Sequence, residues 1–300
     1  MTSPFGPLVL IANSRSRAGL GGVGPVLRAH GLDYRVVLTT GPGHAAQAAA
    51  DALANGDRYL VAAGGDGTVH EVLNGMFAAD GRPAAADAVL GVLPLGSGCD
   101  FVRSFGIPRD ATAAAQRLAG PAVRVIDVGK VTFEDDSVHY FANIAEAGLG
   151  GSVVARAARL PGALGGARYG VAFWLALPRF RQGPARIEVD GNESRSALTV
   201  NVVVANCQYY GGGMRISPKS AADDGALDVL VMDGPRRVAC TTLPSIYRGR
   251  HLPHRYIRES RGQRVRVESA TPLLVEADGE VLGSTPATFE IVPGVLRLKV

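Results

Sequence analysis

Residues 59–75 (YLVAAGGDGTVHEVLNG) leave this chain few ways to fold. The apolar run from Tyr59 to Ala63 has the length and composition of a buried parallel strand, and it feeds straight into Gly64-Gly65-Asp66-Gly67-Thr68. A helical pattern follows at once, with Val69, Val72, Leu73 and Met76 on one face of a helix expected over 69–78. Strand, glycine turn and helix N-terminus in that order make an anion site. The glycines let the backbone approach a phosphate, and the free N–H groups of the first helical turn point at it. Thr68 reads as the helix N-cap, and Glu71 three residues on completes a capping-box pattern. Asp66 is the odd member, because a carboxylate beside bound phosphates is repulsive unless a metal or a proton transfer employs it. That points to phosphoryl transfer. The competing reading is a tight turn whose glycines serve sterics and whose Asp is solvated; the placement between strand and helix favours the phosphate site. It is not a Walker A loop, because no Gly-Lys-Ser/Thr follows.

The rest of the composition sets bounds. At 300 residues, 47% hydrophobic and 19% charged, the chain is a soluble globular protein large enough for one big core or two domains. Cys99, Cys207 and Cys240 are scattered without C-x-x-C spacing, so neither a disulfide framework nor a zinc site is indicated and a reducing cytoplasm fits. No positively charged leader precedes the first strand, so no signal peptide is expected. The most membrane-like run, Tyr169 to Pro178, is too short to span a bilayer. The net charge of +4 is unevenly spread: Arg236 to Arg266 holds nine arginines and two histidines against one acid, Glu259. Such a run is either a solvated face or a surface that attracts anionic headgroups or a phosphorylated ligand. Nucleic acid is not expected as a partner, because aromatic interleaving is sparse and no binding motif appears.

The first 125 residues alternate strand and helix. Strands are expected at Leu8–Ala12, Tyr34–Thr39, 59–63 and Val89–Pro94, with helices at 20–30, Ala45–Ala54, 69–78 and 111–119. That rhythm argues for an α/β, doubly wound, parallel-sheet domain with ligands at the strand C-termini. After Val123 short alternating segments dominate: Val138–Ile144, Arg186–Val189, Ala197–Ala205, Ala226–Met232, Arg264–Val267, Leu273–Ala277 and Ala287–Val292. Turns such as Asp190-Gly191, Asp224-Gly225 and Asp278-Gly279 punctuate them, so a C-terminal β-sandwich is expected, with 152–181 as a mainly helical insertion. Gly19, Gly21 and Gly24 fit the dinucleotide fingerprint G-x-G-x-x-G. However, six residues separate that string from the first strand, and the second strand ends in Thr39-Thr40 where an acid would hold a ribose. A nicotinamide-dependent enzyme is therefore not expected.

Further phosphate-like loops follow the other strands: Asn13-Ser14-Arg15-Ser16, Thr39-Thr40-Gly41-Pro42-Gly43-His44, and Pro94-Leu95-Gly96-Ser97-Gly98-Cys99-Asp100-Phe101. In a parallel sheet they converge with the glycine turn on one rim, which makes a nucleotide cleft. Six segments then occur in order: GGDGTVHEVLNG, PLGSGCDFVRSFGIP, IDVGKV, NIAEAGLGG, NCQYYGGGMRISPKSAADDGALDV and EADGE. Together they resemble the diacylglycerol kinase catalytic-domain family in its bacterial lipid-kinase branch, with sphingosine kinases as more distant relatives, across essentially the whole chain.

The resemblance implies an N-terminal α/β nucleotide domain (1–125, with 293–300 returning) and a C-terminal β-sandwich acceptor domain (126–292). It implies an ATP- and Mg²⁺-dependent kinase of a lipid alcohol, most simply diacylglycerol-like, that serves phospholipid metabolism in the cytoplasm, and a homodimer. The basic run Arg236–Arg266 and the apolar helix Tyr169–Leu177 are expected to meet an anionic membrane surface without spanning it. Carried over by position, the ATP contacts fall on Asn13, Thr40, Gly64, Gly65, Asp66, Gly67, Thr68, Val69, His70, Gly96 and Ser97. Glu280 matches the residue proposed as general base, with Asp66 the other catalytic acid. Asp66, Asp100 and Asp127 match acids that organise the catalytic Mg²⁺ through water. Asp224, with the carbonyls of Ala221 and Ala226, matches a structural Mg²⁺ site; read without the family, Asp223–Asp228 is an ordinary turn. This chain departs from the family where Asn13-Ser14-Arg15-Ser16-Arg17 replaces Asn-Pro-x-Ser-Gly. It departs again where Gly96-Ser97-Gly98-Cys99-Asp100 replaces Gly-Thr-x-Asn-Asp. Cys99 reads as a small buried residue. His70 stands where most bacterial members have Asn and sphingosine kinases have His. Two other functions compete. A kinase of the same fold could act on a soluble, partly apolar alcohol. A degenerate nucleotide or lipid binder would have no need of Asp66, Asp100, Asp127 and Glu280. NAD kinases share the GGDGT-type loop, but the later Asp-Asp-Gly and Asp-Gly-Glu strings fit lipid kinases better.

Overall fold

The apolar runs near the N-terminus form a parallel sheet. In the computed structural model, which describes residues 3–13, 17–78, 80–96 and 98–300, β1 (Leu8–Asn13), β2 (Tyr34–Thr39), β3 (Tyr59–Gly64) and β4 (Val89–Pro94) pair in the order β2-β1-β3-β4. Strands β3 and β4 are buried at every position, as unbroken apolar runs in a parallel sheet should be; β2 lies at the edge and is half exposed. The crossovers are helical: α1 (Arg17–Ala29), α2 (His44–Ala54), α3 (Asp66–Gly75), the short α4 (Asp100–Ser104) and α5 (Ala111–Ala119). Helices α1 and α5 pack together, as do α2 and α3. The chain leaves β1 for β2 on one side and returns to β3 on the other. The β1/β3 boundary is therefore the switch point where a doubly wound sheet opens a ligand crevice. The decoy glycines fall inside α1, where Gly24 makes room for the Tyr34 hydroxyl; a Cβ there would lie 2.7 Å from it.

After α5 the long strand β5 (Val123–Phe133) leads out of this unit. The chain divides into two compact units, Met1–Asp127 with Gly294–Val300, and Val128–Pro293. The second unit continues with β6 (Val138–Phe141), β7 (Ile144–Gly148), α6 (Leu149–Ala157), α7 (Ala167–Ala176), β8 (Ala185–Val189), β9 (Asn192–Ser196) and β10 (Thr199–Ala205). Then come β11 (Tyr209–Tyr210), β12 (Met214–Arg215), β13 (Leu227–Asp233), α8 (Arg237–Tyr247), β14 (Ile257–Gly262), β15 (Arg264–Ser269), β16 (Leu274–Ala277), β17 (Glu280–Ser284) and β18 (Ala287–Lys299). One antiparallel sheet runs β14-β13-β10-β7-β16-β17, and a second ladder runs β18-β15-β8-β9. Phe141, Ile187, Val202, Val229 and Phe289 belong to one buried cluster drawn from both, so this unit is a β-sandwich. The end of β18 returns to the first unit, where Arg297 and Leu298 pair in parallel with Val89 and Leu90 of β4.

Three expectations need correcting. The strand expected over Val138–Ile144 breaks between β6 and β7, because the Asp278 carboxylate takes the backbone amides of Ala142, Asn143 and Ile144. Helix α3 starts at Asp66, three residues ahead of the expected start. The basic run includes helix α8, hidden in the sequence by Pro244 inside it.

Candidate active site

Because α3 begins at Asp66, the acid of the glycine turn is the first helical residue. Its N-cap is Gly65, which has no side chain to offer, so the capping box expected from Thr68 and Glu71 does not form. Thr68 sits at the third helical position, where its hydroxyl accepts the Asn13 side-chain amide at 3.3 Å and bridges the ends of β1 and β3. Glu71 turns instead to the neighbouring helix and accepts the Ala45 N–H in the first turn of α2 at 3.0 Å.

Two close approaches explain the glycines. A Cβ on Gly64 would lie 2.2 Å from the Thr68 hydroxyl, and one on Gly96 would lie 2.4 Å from the Gly65 Cα. The loops after β3 and β4 thus touch backbone to backbone, and no side chain fits between them. Cys99 closes the second loop in the left-handed conformation, at φ 54°, with its thiol 3.2 Å from the Gly96 carbonyl. Burial, with the charge of Asp66 adding to it, pushes the Cys99 thiol up in pKa, so it is a packing group and not a nucleophile.

Asp66 reaches across this junction. Its Oδ2 accepts the Asp100 N–H at 3.2 Å and its Oδ1 the Phe101 N–H at 3.1 Å, so one carboxylate caps α4 from another helix. Asp100, buried behind it, pairs with Arg103 at 3.2 Å. Thr40, at the end of β2, donates its N–H to His44 Nδ1 at 3.0 Å, a contact with no signal in the sequence beyond a histidine at a helix start. Val69 and His70 are buried on α3, and the Val69 N–H is already given to the Gly65 carbonyl at 3.2 Å. Ser97 and residues 14–16 lie outside the described residues. Asp127, also buried, accepts the Gly294 N–H at 2.7 Å, so it also anchors the returning strand.

The donor chemistry fits Mg²⁺ at one place and not at another. Asp66 offers hard oxygens beside the glycine turn, with lone pairs beyond those spent on the two amides, while Asp100 Oδ1 is already paired with Arg103. Among the described residues no group of three or more His, Cys, Asp or Glu is arranged to ligate a metal directly, so a cation here would be held largely through water. At the other place, Asp224 Oδ1 accepts the Ala226 N–H at 3.3 Å and Oδ2 is paired with Arg261. The guanidinium sits where a cation would bind, so this set does not fit one as arranged.

In the second unit, Asp278 and Gly279 form the two-residue turn between β16 and β17, with φ of 51° and 89°. Asp278 accepts the amides of Ala142, Asn143 and Ile144 at 2.9, 3.0 and 3.1 Å, which pins the turn to the start of β7. Glu280 follows the turn and is exposed. Glu146 and Glu276 add two buried carboxyls near this turn that were not expected from the sequence, although it carries a signal for them: a single acid inside each of the otherwise apolar strands Ile144–Gly148 and Leu274–Ala277.

Comparison with known proteins points the same way. The diacylglycerol kinase catalytic domain family matches residues 7–131. The YegS C-terminal NAD kinase beta sandwich-like domain family matches residues 143–300. The chain is 33% identical to a probable lipid kinase YegS-like of Pseudomonas savastanoi, over 90% of this chain and 85% of that protein. It is 31% identical to a diacylglycerol kinase of Mycobacterium tuberculosis, over 91% of this chain and 86% of that protein. Its fold is similar to that of a putative diacylglycerol kinase from Bacillus anthracis, with a TM-score of 0.77 at 24% identity, covering 99% of this chain and 98% of that one.

Proposed function

The chain belongs to the diacylglycerol kinase family of phosphotransferases, which act on alcohol acceptors, and on that premise we propose that it transfers the γ-phosphate of ATP to the hydroxyl of a lipid alcohol with the help of Mg²⁺. The observation that carries this reading is Asp66. It stands at the first position of the helix that opens at the β1/β3 switch point, beside Asp100 and between two glycine-rich loops in backbone contact. A helix N-terminus there suits phosphates. An acid there is unfavourable for phosphates alone and favourable once a cation accompanies them. The bound Mg²⁺ would neutralise charge on the phosphates, with Asp66, Asp100 and Asp127 as its acids. Glu280 would accept the proton of the acceptor hydroxyl.

The acceptor is proposed to be a lipid because the second unit carries an apolar, cationic surface. Trp174, Val171 and Leu175 on α7 are 61%, 41% and 38% exposed. Residues 149–184 contain Arg156, Arg159, Arg168, Arg179 and Arg181 and no acid. A cavity of about 240 Å³ in this region is lined by Ala155, Ala176, Phe180 and Leu274 together with Arg156 and Arg179. No helix among the described residues is long and apolar enough to cross a membrane, so the proposed association is peripheral. The Arg236–Arg266 run contributes less, since Arg258, Arg261, Arg264 and Arg266 are paired with Asp233, Asp224, Glu290 and Glu268.

The test is phosphate transfer from labelled ATP with Mg²⁺ to detergent-dispersed diacylglycerol, monoacylglycerol, ceramide, sphingosine and phosphatidylglycerol, with Glu280→Gln alongside. A labelled lipid that is absent with the variant supports the reading. Label in no lipid, with ATP still bound, rejects it in favour of a soluble alcohol or a binding protein. Trp174→Ala is expected to weaken flotation with anionic vesicles; unchanged flotation would move the membrane surface elsewhere.

A further inference from the structure

Behind the Asp278-Gly279-Glu280 turn lies a polar cluster that neither fold nor nucleotide binding requires. Glu146 on β7 and Glu276 on β16 are adjacent in the ladder, 0% and 3% exposed, with their carboxyls in hydrogen-bond contact. Glu146 Oε1 accepts the Asn201 side-chain amide at 2.9 Å, and the Tyr210 hydroxyl also bonds to Glu146. Glu146 Oε2 has no donor; it packs against Gly150, where a Cβ would lie 1.6 Å from it. Glu276 Oε2 accepts the Gly279 N–H at 2.9 Å, in the middle of the turn.

Two carboxylates in contact and out of water cannot both be ionised, because no cation offsets them. Among the described residues the titratable groups that act on Glu276 are Glu146, Asp278, Glu280 and Tyr210, with Tyr247 beyond Tyr210, and none of these is basic. A proton between the two glutamates resolves the conflict and leaves Glu276 Oε2 to accept from Gly279. Burial drives both carboxyls up in pKa, and for Glu276 the charge of Glu146 adds to it.

We propose that Glu146 and Glu276 share a single proton and act as positioning residues, holding the Gly279 N–H so that Glu280 is presented to the acceptor hydroxyl. This rests on the reading of Glu280 as the base. Asp278 ties the turn to the amides of residues 142–144, and Glu276 ties it to its own strand, so the base is fixed from two sides. Neither glutamate touches substrate.

Two kinds of measurement test it. In the kinase assay, Glu276→Ala should lower kcat by about 100-fold with KM for ATP and acceptor unchanged, as expected for a misplaced group. Glu276→Gln should restore most of that loss, because its amide N–H reproduces the shared proton and its carbonyl still accepts from Gly279. Independently of activity, stability should be followed against pH. A folded pKa raised above the unfolded value contributes stability that is present below the ordinary carboxyl range and is lost as pH rises through the folded pKa. Each extra proton held by the folded state lowers the folding equilibrium constant by about tenfold per pH unit in that window. Wild type should show a steeper decline than Glu276→Gln, in which only the burial of Glu146 remains to hold a proton. Equal pH slopes in the two proteins would overturn the shared proton. An inactive Glu276→Gln with a normal melting curve would overturn the positioning role, as would a fully active Glu276→Ala. Should Glu276→Ala fail to fold, the Gln variant carries both readouts. If Glu280→Gln is fully active, the reading of Glu280 fails, while the pH slopes still decide whether the proton is shared.

Discussion

Asp66 shows how one side chain can serve structure and chemistry at once. Its two oxygens cap the amides of Asp100 and Phe101, and its charge faces the place where phosphates are proposed to bind. The two roles separate by substitution. Asp66→Ala leaves both amides uncapped and should cost about 0.5–2 kcal/mol, the usual worth of a cap. Asp66→Asn keeps an acceptor oxygen and should cost less than half of that in urea unfolding. Its kcat should nevertheless fall by about 100-fold or more, since what it loses is charge at the reacting centre. An Asn variant with wild-type kcat would reduce Asp66 to a cap. In the sequence, an acid among glycines asks for a reason, and that much was legible. Its partners were not, because they belong to a helix of five residues that no periodicity announces. Cys99 has the same lesson: nothing in a cysteine announces the left-handed backbone it adopts at φ 54°.

Elements were legible where burial is uniform and illegible where side chains bargain with backbone. Strands β1, β3 and β4 are buried apolar runs, and their limits follow from composition. Helix α3 was placed late because Gly-Asp-Gly reads as loop, although the backbone there is already helical. Helix α8 was missed because Pro244 lies inside it. Contacts between elements can be tested through glycine. On α3, a Cβ at Gly75 would stand 2.1 Å from the Ala46 carbonyl of α2, a backbone atom that cannot swing aside. On α7, Gly170 has nothing within 4 Å. Gly75→Ala should therefore destabilise by about 1–3 kcal/mol, the cost of overpacking. Gly170→Ala should stabilise by up to about 1 kcal/mol, the difference in helix propensity. Denaturant titration of both reads the sign directly, and a neutral Gly75→Ala would mean that α2 and α3 are not in backbone contact.

At the scale of the whole chain, local patterns cannot say which strand neighbours which, and the return of the C-terminus to the first unit could be expected only from the family. The structure gives that return a physical basis. Arg297 and Leu298 extend the parallel sheet beside β4, Leu296 and Leu298 are buried, and Lys299 Nζ donates to the Ala122 carbonyl at 2.7 Å. Asp127 joins in by accepting the Gly294 N–H, so an acid proposed to help hold Mg²⁺ also fastens the last strand. Removing Gly294–Val300 would strip β4 of its neighbour, expose an unpaired strand edge, and leave Asp127 buried without that amide. The first unit should then lose cooperative unfolding and associate, while the second, whose ladder ends before Gly294, keeps its own pairing. Limited proteolysis with mass spectrometry should recover a fragment close to 128–293 and little of the rest. Leu298→Ala, a milder lesion, should cost about 2–5 kcal/mol, as buried leucine truncations do, while leaving a folded protein to measure. A truncated chain that melts and resists protease as the full chain does would show that the first unit closes its sheet without the last strand. The bond between Asp127 and Gly294 would then have to be explained by chemistry alone.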